Sequence, residues 1–231
     1  MMQGTNSVIV TASSHGLGLS IAKRFSKSYN IILHGRNPGR LLEAASHVDN
    51  VVESVLGDLR DEDTLLKLYA AGVKHNSSVL VNNAAIPCYG TKLEEMTSDQ
   101  IHESLSTNLI SPILLSHKLY PVIKSNSPGG IININSIVGV EPKEKRSVHS
   151  ATKWGLRGFS KSLNIEALKD NVRIVNVYPT RIMTIEEFTY GLDPSDVSDR
   201  IYNNFHDTNI LSDMVIDGRP LEYRPEKKYE A

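Results

Sequence analysis

"VIVTASSHGLGLSIAKRF", residues 8–25, passes from an unbroken apolar run through a few small and polar residues into a helical pattern. The apolar run reads as a strand buried on both faces. The small residues allow the backbone a tight turn and a close approach to another group. The helix that follows offers unpaired N–H groups and the positive end of its dipole. A strand, a small-residue turn and a helix in this order form the place where a doubly wound sheet holds a pyrophosphate.

The rest of the chain extends the same pattern. Strands are expected at 30–35, 50–56, 78–84, 130–136, 172–179 and 213–217, besides the first at 7–12. Helical periodicity fills the intervals between them. Such alternation predicts an α/β fold, a Rossmann-type doubly wound parallel sheet of about seven strands with helices on both faces. One long helical pattern, 98–125, contains Pro112 and Pro121 and should be kinked or broken there. The 231 residues suit a single domain, 1–231, with a short lid expected at 185–207 and a polar C-terminal tail at 218–231.

Composition narrows the function classes. A formal net charge of −1 gives no electrostatic footprint for nucleic acid or an anionic membrane. No apolar run is long enough to span a bilayer, and no signal peptide opens the chain, so a cytoplasmic location is expected. The single cysteine, Cys88, excludes an intrachain disulfide and reads as a structural thiol. The eight histidines show no ligand spacing beside an acid, so no metal site is expected.

A series of motifs then resembles the short-chain dehydrogenase/reductase family, in its compact single-domain branch. "TASSHGLG" at 11–18 resembles the family's phosphate loop, "GDL" at 57–59 its adenine contact, and "VNNAA" at 81–85 its Asn-Asn-Ala-Gly segment. "TNLISP" at 107–112 looks like the segment that holds an active-site Asn, and "YPTRIMT" at 178–184 like the stretch that closes over nicotinamide. The resemblance implies cofactor contacts at Thr11, Ser13, Ser14, His15, Gly16, Leu17, Gly18, Arg36, Asp58, Leu59, Asn83, Ala84, Lys153, Pro179, Thr180, Ile182 and Thr184. It implies catalytic roles at Ser136, Asn108, Lys153 and position 149. It further implies a homodimer or homotetramer paired through two long helices.

Charge at the end of the second strand bears on the cofactor. "LHGRNPGR" carries no acid there and places Arg36 where a 2′-phosphate would lie, which favours NADP(H) over NAD(H). A solvated surface cation is the other reading of Arg36. Three departures accompany these matches: Ala12, Ala85 and Thr180 replace glycines of the family pattern. Alanine is expected to be tolerated where φ is negative, Thr180 is bulkier and near the place of the nicotinamide carboxamide, and the three suggest weaker or altered cofactor binding.

The fourth departure is chemical. In "SVHSATKWG", residues 147–155, His149 and Lys153 stand one helical turn apart on one face. His149 occupies the place of the family's proton-donating Tyr, while Ser136, Lys153 and Asn108 match. An imidazole is shorter than a phenol, and Lys153 disfavours its protonation. Two functions are therefore carried forward. One is an NADP(H)-dependent oxidoreductase interconverting a carbonyl and a secondary alcohol on a small polar substrate. The other is an NADP(H)-binding protein with weak or lost catalysis. The basic run "EPKEKR", 141–146, lies at the rim of the expected cleft, as a solvated loop or as a contact for a substrate phosphate or carboxylate.

Overall fold

The computed structural model describes residues 6–184, 190–220 and 222. Seven parallel strands run β1 (Ser7–Val10), β2 (Asn30–Gly35), β3 (Val51–Leu56), β4 (Ser77–Asn82), β5 (Gly129–Ile134), β6 (Val172–Pro179) and β7 (Asp213–Ile216). Their order across the sheet is β3-β2-β1-β4-β5-β6-β7. The winding reverses between β1 and β4, and a crevice opens at the carboxyl ends of those two strands.

Period-two alternation sends successive strand residues to opposite layers. Val8, Val10, Ile31, Leu33, Val79 and Val81 face one core, closed by α1 (Gly16–Phe25), α2 (Pro38–Ser46) and α7 (Pro194–His206). Ile9, Ile32, Leu80, Ile131 and Ile174 face the other core, under α3 (Glu62–Lys74), α5 (Ser111–Ser125) and α6 (Ser147–Ala167). Each large aliphatic side chain enclosed in these layers is worth about 1.5–3 kcal/mol.

The long helical pattern divides, but not at both prolines. α4 (Ser98–Leu105) passes into a π-helical segment, Ser106–Ile110, before α5 begins. Pro112 lacks the N–H that would reach back to the Asn108 carbonyl, so the regular ladder cannot continue through this point. Pro121 lies inside α5, and the helix runs on to Ser125. Its exposed position leaves water to satisfy the carbonyl it orphans.

The lid expected at 185–207 needs correcting for most of its length. Pro194–His206 is helix α7, whose Val197, Ile201 and Phe205 are buried in the core against α1. A helix with that apolar stripe is fixed by burial and cannot serve as a cover. Residues 185–189 lie outside the described residues, as does the tail expected at 218–231 apart from 218–220 and 222.

A buried polar chain fixes how α6 sits on the sheet. Asn82 Nδ2 donates to Asn133 Oδ1 at 2.8 Å, Asn133 Nδ2 to Ser160 Oγ at 2.8 Å, and Ser160 Oγ to the Leu156 carbonyl at 2.7 Å. It joins β4, β5 and α6 through fully enclosed groups. Replacing Asn133 with Ala leaves donors and acceptors buried without partners. The expected loss is about 3 kcal/mol of stability in urea unfolding; a change within about 0.5 kcal/mol, as at a surface position, would show that the chain is not a structural tie.

Candidate active site

The turn after β1 is held from three sides. The backbone N–H groups of Asn83 and Ala84 donate to Thr11 Oγ1 at 2.9 and 3.0 Å, and Asn83 Nδ2 donates to the carbonyls of Thr11 and Ala12 at 3.0 and 3.1 Å. Ser13 exchanges backbone and hydroxyl hydrogen bonds with His34 at the end of β2. The Ala12 N–H donates to His34 Nδ1 at 3.1 Å, so the imidazole proton is on Nε2, 3.1 Å from the Gly57 carbonyl. His34 thus links the turn after β1 to the turn after β3. Sequence reasoning passed over it as one residue of a strand; its signal was a polar side chain in an otherwise apolar run.

Ala12 has φ +50°, a left-handed conformation that favours glycine. The condition for easy tolerance, a negative φ, is therefore not met at Ala12, where the turn reverses to bring Ser13 beside His34. Ala85 and Thr180 are not among the described residues with positive φ. Gly18 is required for contact: a Cβ there would lie 2.3 Å from the Ala12 carbonyl oxygen and 2.5 Å from Asn83 Nδ2. Gly16 takes φ +56°, and Thr184 lies directly over it. Leu17 is buried, and His15, the N-cap of α1, places no side-chain cap on the helix, so its first amides remain available to an anion.

A cleft of about 590 Å³ opens at the switch point, lined among others by Ser14, His15, Arg36, Arg40, Asp58, Leu59 and Ala84. Arg36 Nη1 lies 3.3 Å from Asp58 Oδ2, and Arg60 grips the same carboxylate at 2.9 Å. The Arg60 contacts, chiefly, hold the Asp58 carboxyl well below the ordinary carboxylate range. The Leu59 carbonyl lies 3.0 Å from Ser111 Oγ, which ties this rim to the head of α5. An uncapped helix N-terminus, two arginines at the far rim and a cleft of this size fit a phosphate-bearing dinucleotide.

The expected reaction residues do not line this cleft themselves; Asn108 is tied to it through Ile86, which does. Asn108 lies in the π-helical segment, where its Oδ1 accepts from the Ile86 N–H at 2.8 Å and its Nδ2 donates to the Ile86 carbonyl at 3.0 Å. Ser136 caps a 3₁₀ turn after β5, and its N–H donates to Asn135 Oδ1 at 2.9 Å. Asn135 Nδ2 in turn donates to the Lys153 carbonyl at 3.0 Å. Asn135, unforeseen from sequence, therefore sets the register of Ser136 against α6. Beyond β6, Pro179 pairs with Ile216 and Thr180 Oγ1 accepts from the Gly218 N–H at 2.9 Å. Ile182 bridges to Leu192 and carries the chain toward Thr184.

Lys153 is buried and donates from Nζ to the Ile134 carbonyl at 3.0 Å; burial lowers its pKa to about 8. His149 is only 7% exposed, and its Nδ1 is enclosed without a partner. Burial, then the charges of Lys153 and Arg146, lower its pKa to about 4, so the ring is neutral at neutral pH. Tyr89, from the loop after β4, meets the His149 ring edge-on with centroids 5.8 Å apart. It stands 60 positions away in sequence, outside the segment that carries Ser136, His149 and Lys153. Among the described residues no group of His, Cys, Asp or Glu could hold a metal ion.

Two predictions follow from the phosphate-side turn. Ala12→Gly removes the left-handed penalty and should raise stability by about 1 kcal/mol, read as a higher urea midpoint; an unchanged or lower midpoint would mean the turn holds Ala12 without strain. Burial lowers the pKa of His34 from 6.5 to about 4, so the unfolded chain binds the proton more readily. Stability from this group is complete above pH 6.5 and is lost as pH falls toward 4, by about 3 kcal/mol in total. His34→Gln should flatten that slope; an equally steep slope in the variant would assign the acid sensitivity to other groups.

The short chain dehydrogenase family model matches residues 6–187. An oxidoreductase of Staphylococcus epidermidis is 27% identical over 187 residues, covering 80% of each chain. An NADP-dependent 3-hydroxy acid dehydrogenase of Schizosaccharomyces pombe is 24% identical over 205 residues, covering 85% of this chain and 79% of that protein. A metagenomic short-chain oxidoreductase solved in complex with NADP is 25% identical, with a TM-score of 0.80 over 93% of this chain and 98% of that one. The chain is an oxidoreductase fold with a nicotinamide-nucleotide cleft, and it belongs to the short-chain dehydrogenase/reductase family.

Proposed function

We propose that the protein is an NADP(H)-dependent oxidoreductase that interconverts a carbonyl and a secondary alcohol on a small polar substrate. The observation that carries this reading is that buried amides tie Ser136 to Lys153 through Asn135, and Asn108 to Ile86, which lines the same cleft as Arg36. Arg36 stands at the end of β2 with no acid beside it in sequence, where a guanidinium suits a 2′-phosphate. The solved relative in complex with NADP is consistent with that preference.

In this reading a bound nicotinamide supplies or accepts the hydride. Thr11, Ser13, Ser14, His15, Gly16, Leu17 and Gly18 bind the pyrophosphate end, Asp58 and Leu59 flank the adenine, and Asn83 and Ala84 support the turn. Pro179, Thr180, Ile182 and Thr184 close the nicotinamide end. Ser136 holds the substrate oxygen through its hydroxyl. Lys153 anchors the ribose, Asn108 positions water, and His149 relays the proton. The protein acts in the cytoplasm as a homodimer or homotetramer, using the exposed Ile110, Leu114 and Trp154. No helix among the described residues is long and apolar enough to cross a membrane.

The second reading, a nucleotide-binding protein with weak catalysis, is favoured by His149 itself. With a pKa of about 4, roughly one ring in a thousand is protonated at pH 7. The experiment is titration with NADPH and NADH, followed on the same sample by ketone reduction from pH 5.5 to 8. Tighter binding of NADPH, with turnover climbing toward acid, is the expected result. His149→Tyr should raise turnover at pH 7 by about a hundredfold or more, the usual reach of a placed general acid. NADPH binding with no turnover at any pH, in either form, would leave the second reading standing.

A further inference from the structure

The rim beside His149 carries a cation that no carboxylate among the described residues neutralises. Arg146 is half-buried, and its guanidinium stands 4.8 Å from the centroid of the Tyr89 ring, the same ring that meets His149 edge-on. Among the described residues no carboxylate pairs with it. The half-buried Glu141, five residues before Arg146, is taken by Arg219, with contacts of 2.8 and 3.0 Å. Asp217 is held by the same guanidinium at 2.6 Å. Glu144 is exposed.

The backbone directs Arg146 to this position. Lys145 has φ +56°, a conformation a lysine rarely adopts, and its carbonyl accepts from the Gly90 N–H at 3.0 Å. That bond pins the loop carrying Tyr89 to the loop carrying Arg146. Strain of this kind persists where the surroundings enforce it, commonly at binding sites. Arg146 is also the N-cap of α6, whose first turn contains no acid and no side-chain cap. Two sources of positive potential therefore meet beside the reacting end of the cleft.

We infer that the substrate carries a carboxylate, received by Arg146 against the face of Tyr89 while its carbonyl lies at Ser136 and His149. The inference rests on the oxidoreductase reading and names its substrate class. A planar guanidinium stacked on an aromatic ring is fixed in orientation and matches a carboxylate with two parallel N–H donors. A neutral ketone gains nothing from this arrangement, and it would leave a half-buried cation without a counter-charge.

The test uses acetoacetate and methyl acetoacetate, which share a ketone and differ in charge, with dihydroxyacetone phosphate as a phosphate-bearing ketone. Binding to the NADP⁺-saturated protein is measured by calorimetry, so no turnover is required, and NADPH affinity is measured first. The expected result is at least tenfold tighter binding of acetoacetate than of its ester. Arg146→Gln should bring that ratio to about one, and Arg146→Lys should restore part of it. Retained NADPH affinity in both variants shows that they fold. Equal binding of acid and ester in the unaltered protein, or a preference that survives Arg146→Gln, overturns the inference. Tighter binding of dihydroxyacetone phosphate than of acetoacetate reassigns the site to phosphate esters and also overturns it. Failure to bind NADPH at all overturns the oxidoreductase reading first and the inference with it.

Discussion

The hydrogen bond from the Ala12 N–H to His34 Nδ1 is the contact on which the nucleotide half of the site depends. A non-glycine residue at φ +50° costs about 1–2 kcal/mol relative to an ordinary turn, so the conformation stands only while its neighbours enforce it. His34 holds the amide, Asn83 holds the carbonyl, and Gly18 leaves room for both. The bond requires Nδ1 to be bare, which in turn requires a neutral ring. Burial supplies that condition by lowering the pKa of His34 to about 4. The same imidazole reaches Gly57, so the turn after β1 and the turn after β3 share one support.

The reaction half is built differently, by interruption of helices and strands. The π-helical segment displaces Asn108 from a regular ladder and lets both atoms of its amide group engage the Ile86 backbone. Asn135 then couples the end of β5 to α6, and the Asn82–Asn133–Ser160 chain locks that helix to the sheet beneath. Ser136, His149 and Lys153 inherit their mutual placement from these buried amides. The two halves respond to acid in opposite senses: protonation would arm His149 as a donor, while protonation of His34 would remove the acceptor that holds Ala12. If His149 is the donor, activity that climbs toward acid would meet a falling stability over the same range.

The alternation of strands and helices and the family to which the motifs belong were legible in the sequence, because each rests on local pattern. Strand ends from 7–10 to 213–216 fall within two residues of expectation. What escaped was non-local. His34, Asn135 and Tyr89 matter through partners 22, 18 and 60 positions away, and nothing in their own neighbourhoods announces those partners. The sign of φ at Ala12 was open for the same reason, since it is fixed by contacts with Asn83 and His34. The lid was misplaced because the apolar stripe of Val197, Ile201 and Phe205 was not weighed against the polar residues around it.

The charge at Arg146 and the weakness of His149 as an acid are two sides of one arrangement. Burial is the largest cause of the depressed imidazole pKa, followed by Lys153 and then Arg146. A carboxylate seated on Arg146 would cancel the third of these and place an opposite charge near the ring, which favours the imidazolium. It would leave the desolvation of His149 in place, and a closed cleft would deepen it. The pKa would therefore recover only part of the way to 6.5. A charged substrate thus brings with it some of the proton affinity that the site lacks, whereas a neutral ketone meets His149 at its least acidic-competent. On the proposed reading, substrate charge and proton supply would be coupled through Arg146 and Tyr89, whose loops are pinned together beside the imidazole by a backbone hydrogen bond.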